Sequence, residues 1–410
     1  MHEPTEFDRR SFMAQAGAGL AAVTLLPSLG LARQPSAGAD IRVGVVGAGT
    51  HGRDVLREIG RMEGARVVAV CEPDERRLRS ALRRGRGAEG FASIEDLLAA
   101  DLIDAAVIAT PTYKHLDTAR PFLERGMHAY LETPLAHTPA DTIELARLAR
   151  GDRGVVAGGL QTRSNPVYQL ARGFARSDSV RDVVSMRAQH HRKTTWRSAG
   201  SRGPGGDANW KLDPARSIGL AGEWGTQQFD LFHWYTDSLP THVRGHGSIR
   251  MHQDGREMHD TIACTLEFPG GADMQYSATI ANSYEGRYEV LYGTNAAIKL
   301  AWSHGWMFKE ADAPTQGWEV YANRQQFHND EGITLIAGAT QLAEQGKLKD
   351  GVGLPYNSLY YNLADWLGAI ESATEPASGV EAAARATLVG IAAHRAITTG
   401  ERVEIDTTGV

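Results

Sequence analysis

The stretch Ile41-Arg42-Val43-Gly44-Val45-Val46-Gly47-Ala48-Gly49-Thr50-His51-Gly52 constrains this chain more than any other. A short apolar, β-branched run leads directly into glycines spaced Gly47-x-Gly49-x-x-Gly52. In that setting Gly47 allows a tight turn and Gly49 lets backbone approach a pyrophosphate. Gly52 lets the next helix pack closely, with the N–H groups around Thr50 and His51 facing the anion. The spacing alone is weak evidence, because 45 glycines in 410 residues produce it by chance about 0.5 times per chain. The next 20 residues strengthen it. A helical stretch from Arg53 to Gly60 leads to a second apolar run, Arg66-Val67-Val68-Ala69-Val70-Cys71, which ends on Glu72. This is a β-α-β unit with a carboxylate where the adenosine ribose hydroxyls of a dinucleotide would lie. Such a carboxylate repels a 2′-phosphate and favours NAD; Arg76 and Arg77 nearby leave NADP open.

Further strands are expected at Ala105–Ala109, His128–Glu132 and Gly154–Gly158, alternating with helices at Asp74–Arg84, from Ser93, up to Arg125, and Pro139–Arg150. Alternation with short loops gives a doubly wound parallel sheet. The strand ends at Gly47, Glu72, Thr110 and Glu132 then share the edge where such sheets bind ligands. Beyond residue 160 the periodicity changes to 2 at Val183–His190, Val243–Ile249, Thr261–Phe268, Asp273–Ala281 and Tyr288–Tyr292, a run of strands that predicts a mostly antiparallel sheet. The organisation read from the chain is a leader at 1–39, a dinucleotide-binding domain at 40–160 and an α+β domain for substrate and oligomer contacts at 161–410.

The leader carries Asp8-Arg9-Arg10-Ser11-Phe12-Met13, a twin-arginine signature, and an uncharged stretch from Ser11 to Ala32. Pro27 and several glycines make that stretch poor as a spanning helix, so export and cleavage without stable membrane insertion is the expectation. Outside the cytoplasm there is no NAD pool to exchange with. A nicotinamide that accepts a hydride there must return it within the same cycle or pass it to a second substrate. A net charge of −6 without a basic run excludes an electrostatic footprint for nucleic acid. Cys71 and Cys264 read as neither a disulfide nor metal ligands, and His242, His246, His252 and His259 lack ligand spacing, so no metal is expected.

The glycine motif, Glu72, Ala109-Thr110-Pro111-x-x-x-His115 and Glu132-x-Pro134-Leu135-Ala136 together resemble the glucose–fructose oxidoreductase, inositol dehydrogenase and MocA family over residues 41 to 405. Gly159-Leu160-Gln161-Thr162-Arg163-Ser164-Asn165-Pro166 looks like the family's crossover segment. The resemblance implies a tightly held NAD, an open antiparallel sheet covering the nicotinamide, homo-oligomer contacts and a carbohydrate substrate. It places Gly47, Gly49, Thr50, His51, Gly52, Glu72, Thr110, Pro111, His115, Glu132 and Thr133 at the cofactor. The family's usual Glu-Lys-Pro has Thr133 in its middle here. Its Asp-x-x-x-His-x-x-Asp pattern appears as Glu223-Trp224-Gly225-Thr226-Gln227-Gln228-Phe229-Asp230, with Gln227 at the histidine. Both usual proton-handling groups are missing, and positioned acid–base catalysis is worth about 10²–10⁴ in rate.

Candidate substitutes are Glu223, His190 and His191, with Gln227 at the vacated position. Arg163 and Asp230 are candidates for orienting substrate. Trp196 and Trp210 offer indole faces to a sugar ring. These residues are compatible with a sugar oxidoreductase, a redox-neutral NAD-dependent glycosidase or lyase, and a nucleotide-binding protein without catalysis. The family's NAD-dependent glycosidases also lose the lysine but keep the histidine.

Overall fold

A computed structural model describes residues 40–151, 154–198, 207–327, 329–347 and 351–410; the leader expected at 1–39 lies outside them. Two sheets organise the chain. The first contains β1 (Ile41–Val46), β2 (Ala65–Cys71), β3 (Glu89–Phe91), β4 (Ala105–Ile108), β5 (His128–Leu131) and β6 (Val156–Gly158), all parallel, in the order β3-β2-β1-β4-β5-β6. Its strands are covered on both faces, which is why they read as unbroken apolar runs. Val43, Val45, Ala105 and Val107 face one core, while Val46, Ala106 and Ile108 face the other.

The helices between these strands are α1 (Thr50–Ile59), α2 (Glu75–Leu82), α3 (Ile94–Ala99), α4 (His115–Glu124) and α5 (Pro139–Ala149). Their starts are legible as caps. Asp74, Ser93 and Thr138 each accept a first-turn backbone N–H through a side-chain oxygen. Helix α1 differs, since Gly49 caps it without a side chain and its first turn holds no acid.

After the crossover helix α6 (Pro166–Ala175), β7 (Val183–His191) enters the second sheet, and a π-helical turn (Ala221–Gly225) runs into α7 (Thr226–Thr236). The sheet continues with β8 (His242–Ser248), β9 (Thr261–Glu267), β10 (Asp273–Thr279), β11 (Arg287–Gly293), β12 (Ala296–Ala301), β13 (His304–Lys309), β14 (Arg324–Gln326) and β15 (Glu331–Thr334), and β16 (Val403–Glu404) closes it. Its order is β14-β15-β13-β12-β11-β7-β10-β9-β8-β16, antiparallel except where β7 meets β10. One face is packed by Tyr168, Phe229, Phe232, Ala393 and Ile397 from the helices; the other carries Arg187, Arg244, His246, Gln275 and Ser277 around an open concavity.

The chain ends by returning to the first domain. Between β15 and that return lies a short helix, α8 (Ala339–Glu344). Helix α9 (Ser358–Ser372) places Leu359, Leu363, Trp366 and Leu367 in the core under β1, and α10 (Val380–Thr399) contributes to the cores of both sheets. At this junction buried Asn362 accepts from Tyr130 Oη at 2.7 Å and donates to Ser164 Oγ at 3.0 Å and Ser378 Oγ at 2.8 Å.

Candidate active site

The loop after β1 is shaped by its glycines. Gly47 has φ +96° and lies so close to β4 that a Cβ would stand 2.7 Å from the Ala109 carbonyl oxygen. A Cβ on Gly52 would stand 1.9 Å from the Gly47 carbonyl oxygen. These two are therefore required by the protein's own packing. Gly49 is different, because a Cβ there would meet nothing within 4 Å. Bare backbone, a helix start without a side-chain cap and a first turn without acids together make a cradle for an anion. Glu72, at the end of β2, accepts from Ala48 N at 2.9 Å and Asp74 N at 3.1 Å, so its carboxylate sits on the rim of that cradle. These residues fit a dinucleotide: Gly47 to Gly52 would hold the pyrophosphate and Glu72 the ribose.

The neighbouring loops close the edge. His51 Nε2 lies 2.6 Å from Glu132 Oε1, joining the start of α1 to the end of β5. Burial works against the charged ring, but the charge and hydrogen bond of Glu132 outweigh it and hold His51 above its ordinary pKa. His115 is buried, with Nδ1 3.1 Å from the Leu135 carbonyl oxygen and Nε2 2.8 Å from that of Thr110. Burial pushes its pKa down, so it braces the Thr110–Pro111 loop against the Pro134–Leu135 loop behind the site surface.

Across the edge stand the π turn and α7. The two departures from the family pattern meet there: Gln227 Nε2 donates to Thr133 Oγ1 at 2.9 Å, and both Thr133 Oγ1 and Gln227 Nε2 donate to the Gly159 carbonyl. The lysine and histidine of the family pattern are thus replaced by a neutral hydrogen-bonded pair. Among the described residues Gln227 Oε1 is buried and unpartnered. One turn earlier Glu223 Oε2 accepts from Thr112 Oγ1 at 3.3 Å, while its Oε1 is also buried and unpartnered. Burial raises its carboxyl to about 7, against the opposing charge of Lys211 and the hydrogen bond from Thr112. A π turn at this point fits the general association of such turns with functional sites.

The end of β7 separates its two histidines. His190 shares a sheet face with Met186 and Ala188, which lie in the core beneath the helices, and stacks on Trp224 with centroids 4.0 Å apart; its Nδ1 is buried and unpartnered among the described residues. Burial, reinforced by the charges of Arg287, Arg192, His191 and Lys211, lowers its pKa to about 2. The ring is neutral and far too weak a base to take a hydroxyl proton, which corrects that expectation; it remains in the site as a hydrogen-bonding and stacking group. His191 points to the opposite face, 3.2 Å from Ser277 Oγ on the open side of the sheet. Strand alternation therefore removes it from the site.

Arg163 and Asp230 also depart from expectation. Arg163 Nε and Nη2 each contact an Asp230 oxygen at 2.8 Å, with the side chains 13% and 0% exposed. A bidentate pair this buried spends both groups on each other. It ties the crossover to α7 rather than meeting substrate. Trp196 and Trp210 are joined through Lys211 and through aromatic contacts to the π turn and the loop after β4. Trp196 packs edge-on against Trp224 at 5.3 Å, Trp210 lies 6.0 Å from the ring of Tyr113, and Lys211 Nζ stands 5.2 and 5.4 Å from the two indoles.

Sequence reasoning misses Thr112, Tyr113 and Trp224. Trp224 lies in a π turn, where a 3.6 period does not tell which face a side chain takes. Thr112 lies one residue past the recognised Thr-Pro, in a loop with no period to read. Gln228, also missed, is the floor: its Nε2 donates to Gln189 O at 3.0 Å, Tyr288 O at 3.2 Å and Glu289 Oε1 at 2.7 Å, which seats α7 on the sheet.

Residues 41–159 match the model of the oxidoreductase family with an NAD-binding Rossmann fold, and residues 168–299 match the model of the GFO/IDH/MocA C-terminal domain. Inositol 2-dehydrogenase of Corynebacterium glutamicum (strain R) is 34% identical over 152 residues, 37% of this chain and 45% of that protein. Glycosyl hydrolase family 109 protein 2 of Shewanella sp. (strain ANA-3) is 31% identical over 168 residues, 35% of this chain and 37% of that protein. The chain thus spans less than half the length of these curated relatives. A levoglucosan dehydrogenase solved with NADH and levoglucosan superposes with a TM-score of 0.70 at 16% identity, covering 89% of this chain and 99% of that one, a likeness of fold. With both family models aligned in order on the two sheets described above, the chain belongs to the Gfo/Idh/MocA oxidoreductase family.

Proposed function

We propose that the protein is an NAD-dependent carbohydrate oxidoreductase that keeps its cofactor and acts outside the cytoplasm. The observation that carries this reading is that Glu223 Oε1, Gln227 Oε1 and His190 Nδ1 are buried without partners among the described residues, on side chains tied to Thr112, Thr133 and Trp224 respectively. Buried polar atoms are rarely left unsatisfied, and a polyhydroxylated ligand supplies both donors and acceptors. Indoles at the rim suit the apolar face of a sugar ring. The activities named for the inositol and levoglucosan dehydrogenases support the same substrate class. Glu72 supports NAD over NADP.

NAD, when bound, supplies a hydride acceptor. The chain's own task is the accompanying hydroxyl proton. Glu223 is suited to it, since a carboxyl titrating near 7 is partly ionised at neutral pH and strong enough a base to share a proton. Gln227 and Thr133 cannot exchange a proton in that range. They orient hydroxyls, and the neutral His190 ring does the same.

A second reading is redox-neutral glycoside cleavage, in which Glu223 takes the proton from carbon next to a transient ketone and later returns one. The match to a family 109 glycosyl hydrolase supports it, as does a leader that would send the protein away from any NAD pool. The bare face of the second sheet supports self-association there. The test is direct. Denaturing purified mature protein should release NAD detectable by mass spectrometry. Incubation of the native protein with a glycoside panel in deuterated water should then yield oxidised sugar without C–H exchange under the first reading and exchange at the adjacent carbon under the second. No bound nicotinamide, or bound nicotinamide with neither product, overturns both.

A further inference from the structure

Among the described residues, Lys211 is a cation without an ion-pair partner. Lys211 sits in the turn Asp207–Leu212, with its Nζ between the faces of Trp196 and Trp210. Its charge acts on three groups from separate elements: His51 at the start of α1, Glu223 in the π turn and His190 at the end of β7. The two indoles place it beside the π turn, where Trp196 meets Trp224, and beside the loop after β4, where Trp210 meets Tyr113. No described carboxylate forms an ion pair with it. Asp213, two residues on, pairs with Arg216, and elsewhere Glu132 pairs with His51, Asp230 with Arg163, and Asp254 with Arg197 and Arg256. Glu223 feels the ammonium but makes no ion pair with it, and one of its oxygens is on Thr112.

An ammonium held between two indoles is partly desolvated, and aromatic faces stabilise it without cancelling its charge. The electrostatic complement of such a site is a monoanion. We propose that Lys211 receives the carboxylate of an acidic sugar, so that the substrate is a uronic acid or a uronic acid glycoside whose ring packs on Trp196 and Trp210. The inference rests on the carbohydrate reading above and narrows it. The same cation could instead meet the pyrophosphate of the dinucleotide, since it lies near His51, and the two sources of negative charge are separable.

The experiment uses the holoprotein and its Lys211→Met and Lys211→Arg variants. Glucuronate, galacturonate, glucose and galactose are titrated against each, with binding read by saturation-transfer NMR and calorimetry and bound NAD quantified in every preparation. One of the two uronates should bind wild type at least about tenfold more tightly than its neutral counterpart, the scale of one charge-assisted contact. That preference should vanish in Lys211→Met, persist in Lys211→Arg and weaken with added salt, while NAD content stays constant. Equal binding of acid and neutral sugars overturns the inference and leaves the carbohydrate reading standing. Loss of NAD from Lys211→Met assigns the cation to the pyrophosphate and also overturns it. Absence of binding by all four sugars removes the inference together with the carbohydrate reading.

Discussion

The carboxyl of Glu223 gives the most quantitative prediction. In an unfolded chain it titrates near its ordinary value of 4.5, and in the folded protein burial moves that to about 7. Between these values the folded state holds a proton that the unfolded state has released. Unfolding is then increasingly favoured as pH rises, at 2.303RT, or about 1.4 kcal/mol, per pH unit. Over the interval the cost amounts to about 3 kcal/mol, absent below pH 4.5 and complete above about pH 7. Glu223→Gln keeps the shape and removes the titration. Urea denaturation of both proteins from pH 4.5 to 8.5 should show the variant gaining on wild type by about 3 kcal/mol across that range, with the gain confined to the interval between the two pKa values. The same substitution should abolish turnover while leaving bound NAD in place. A stability difference that does not change with pH would refute the claim that burial holds this carboxyl near neutrality, and with it the assignment of Glu223 as the proton-handling group.

Asp230→Asn strands the buried Arg163 guanidinium and should cost about 3–5 kcal/mol in urea denaturation, with Arg163→Met plus Asp230→Leu recovering most of it; unchanged stability with lost sugar binding would return the pair to substrate contact. Gly49→Ala adds a methyl into open space and should fold but carry no nicotinamide, as judged by mass spectrometry after denaturation, whereas Gly52→Ala forces carbon to 1.9 Å from the Gly47 oxygen and should fail to give soluble protein. His190→Ala loses the Trp224 stack and should lower turnover at least about fivefold, the equivalent of an aromatic pair worth about 1 kcal/mol, while His191→Ala on the outer face should leave turnover unchanged.

Much of the fold is legible because period and punctuation agree along residues 40–160: buried parallel strands leave unbroken apolar runs, and Asp74, Ser93 and Thr138 mark helix starts. Gly47 and Gly52 are readable for the same reason, as each answers a local backbone demand. The far side of the site is harder to read. The roles of Arg163 and Asp230 depend on each other across 67 positions of sequence, and nothing in either neighbourhood shows that they pair. The two histidines at the end of β7 differ only in strand parity, which becomes decisive once it is known which face the helices cover. Lys211 reads as one more polar residue in a Trp-rich loop, because its environment is assembled from α1, the π turn and β7.

The return of α9 and α10 to the first sheet bears on how the protein is made. Leu363 and Trp366 fill the core beneath β1, and Ala383 fills the one on the opposite face, yet they are translated more than 300 residues after that strand. The nucleotide-binding half cannot finish its core until residues 359–386 have left the ribosome. A chain truncated ahead of residue 358 should therefore be open to proteolysis in its N-terminal half as well as its C-terminal one.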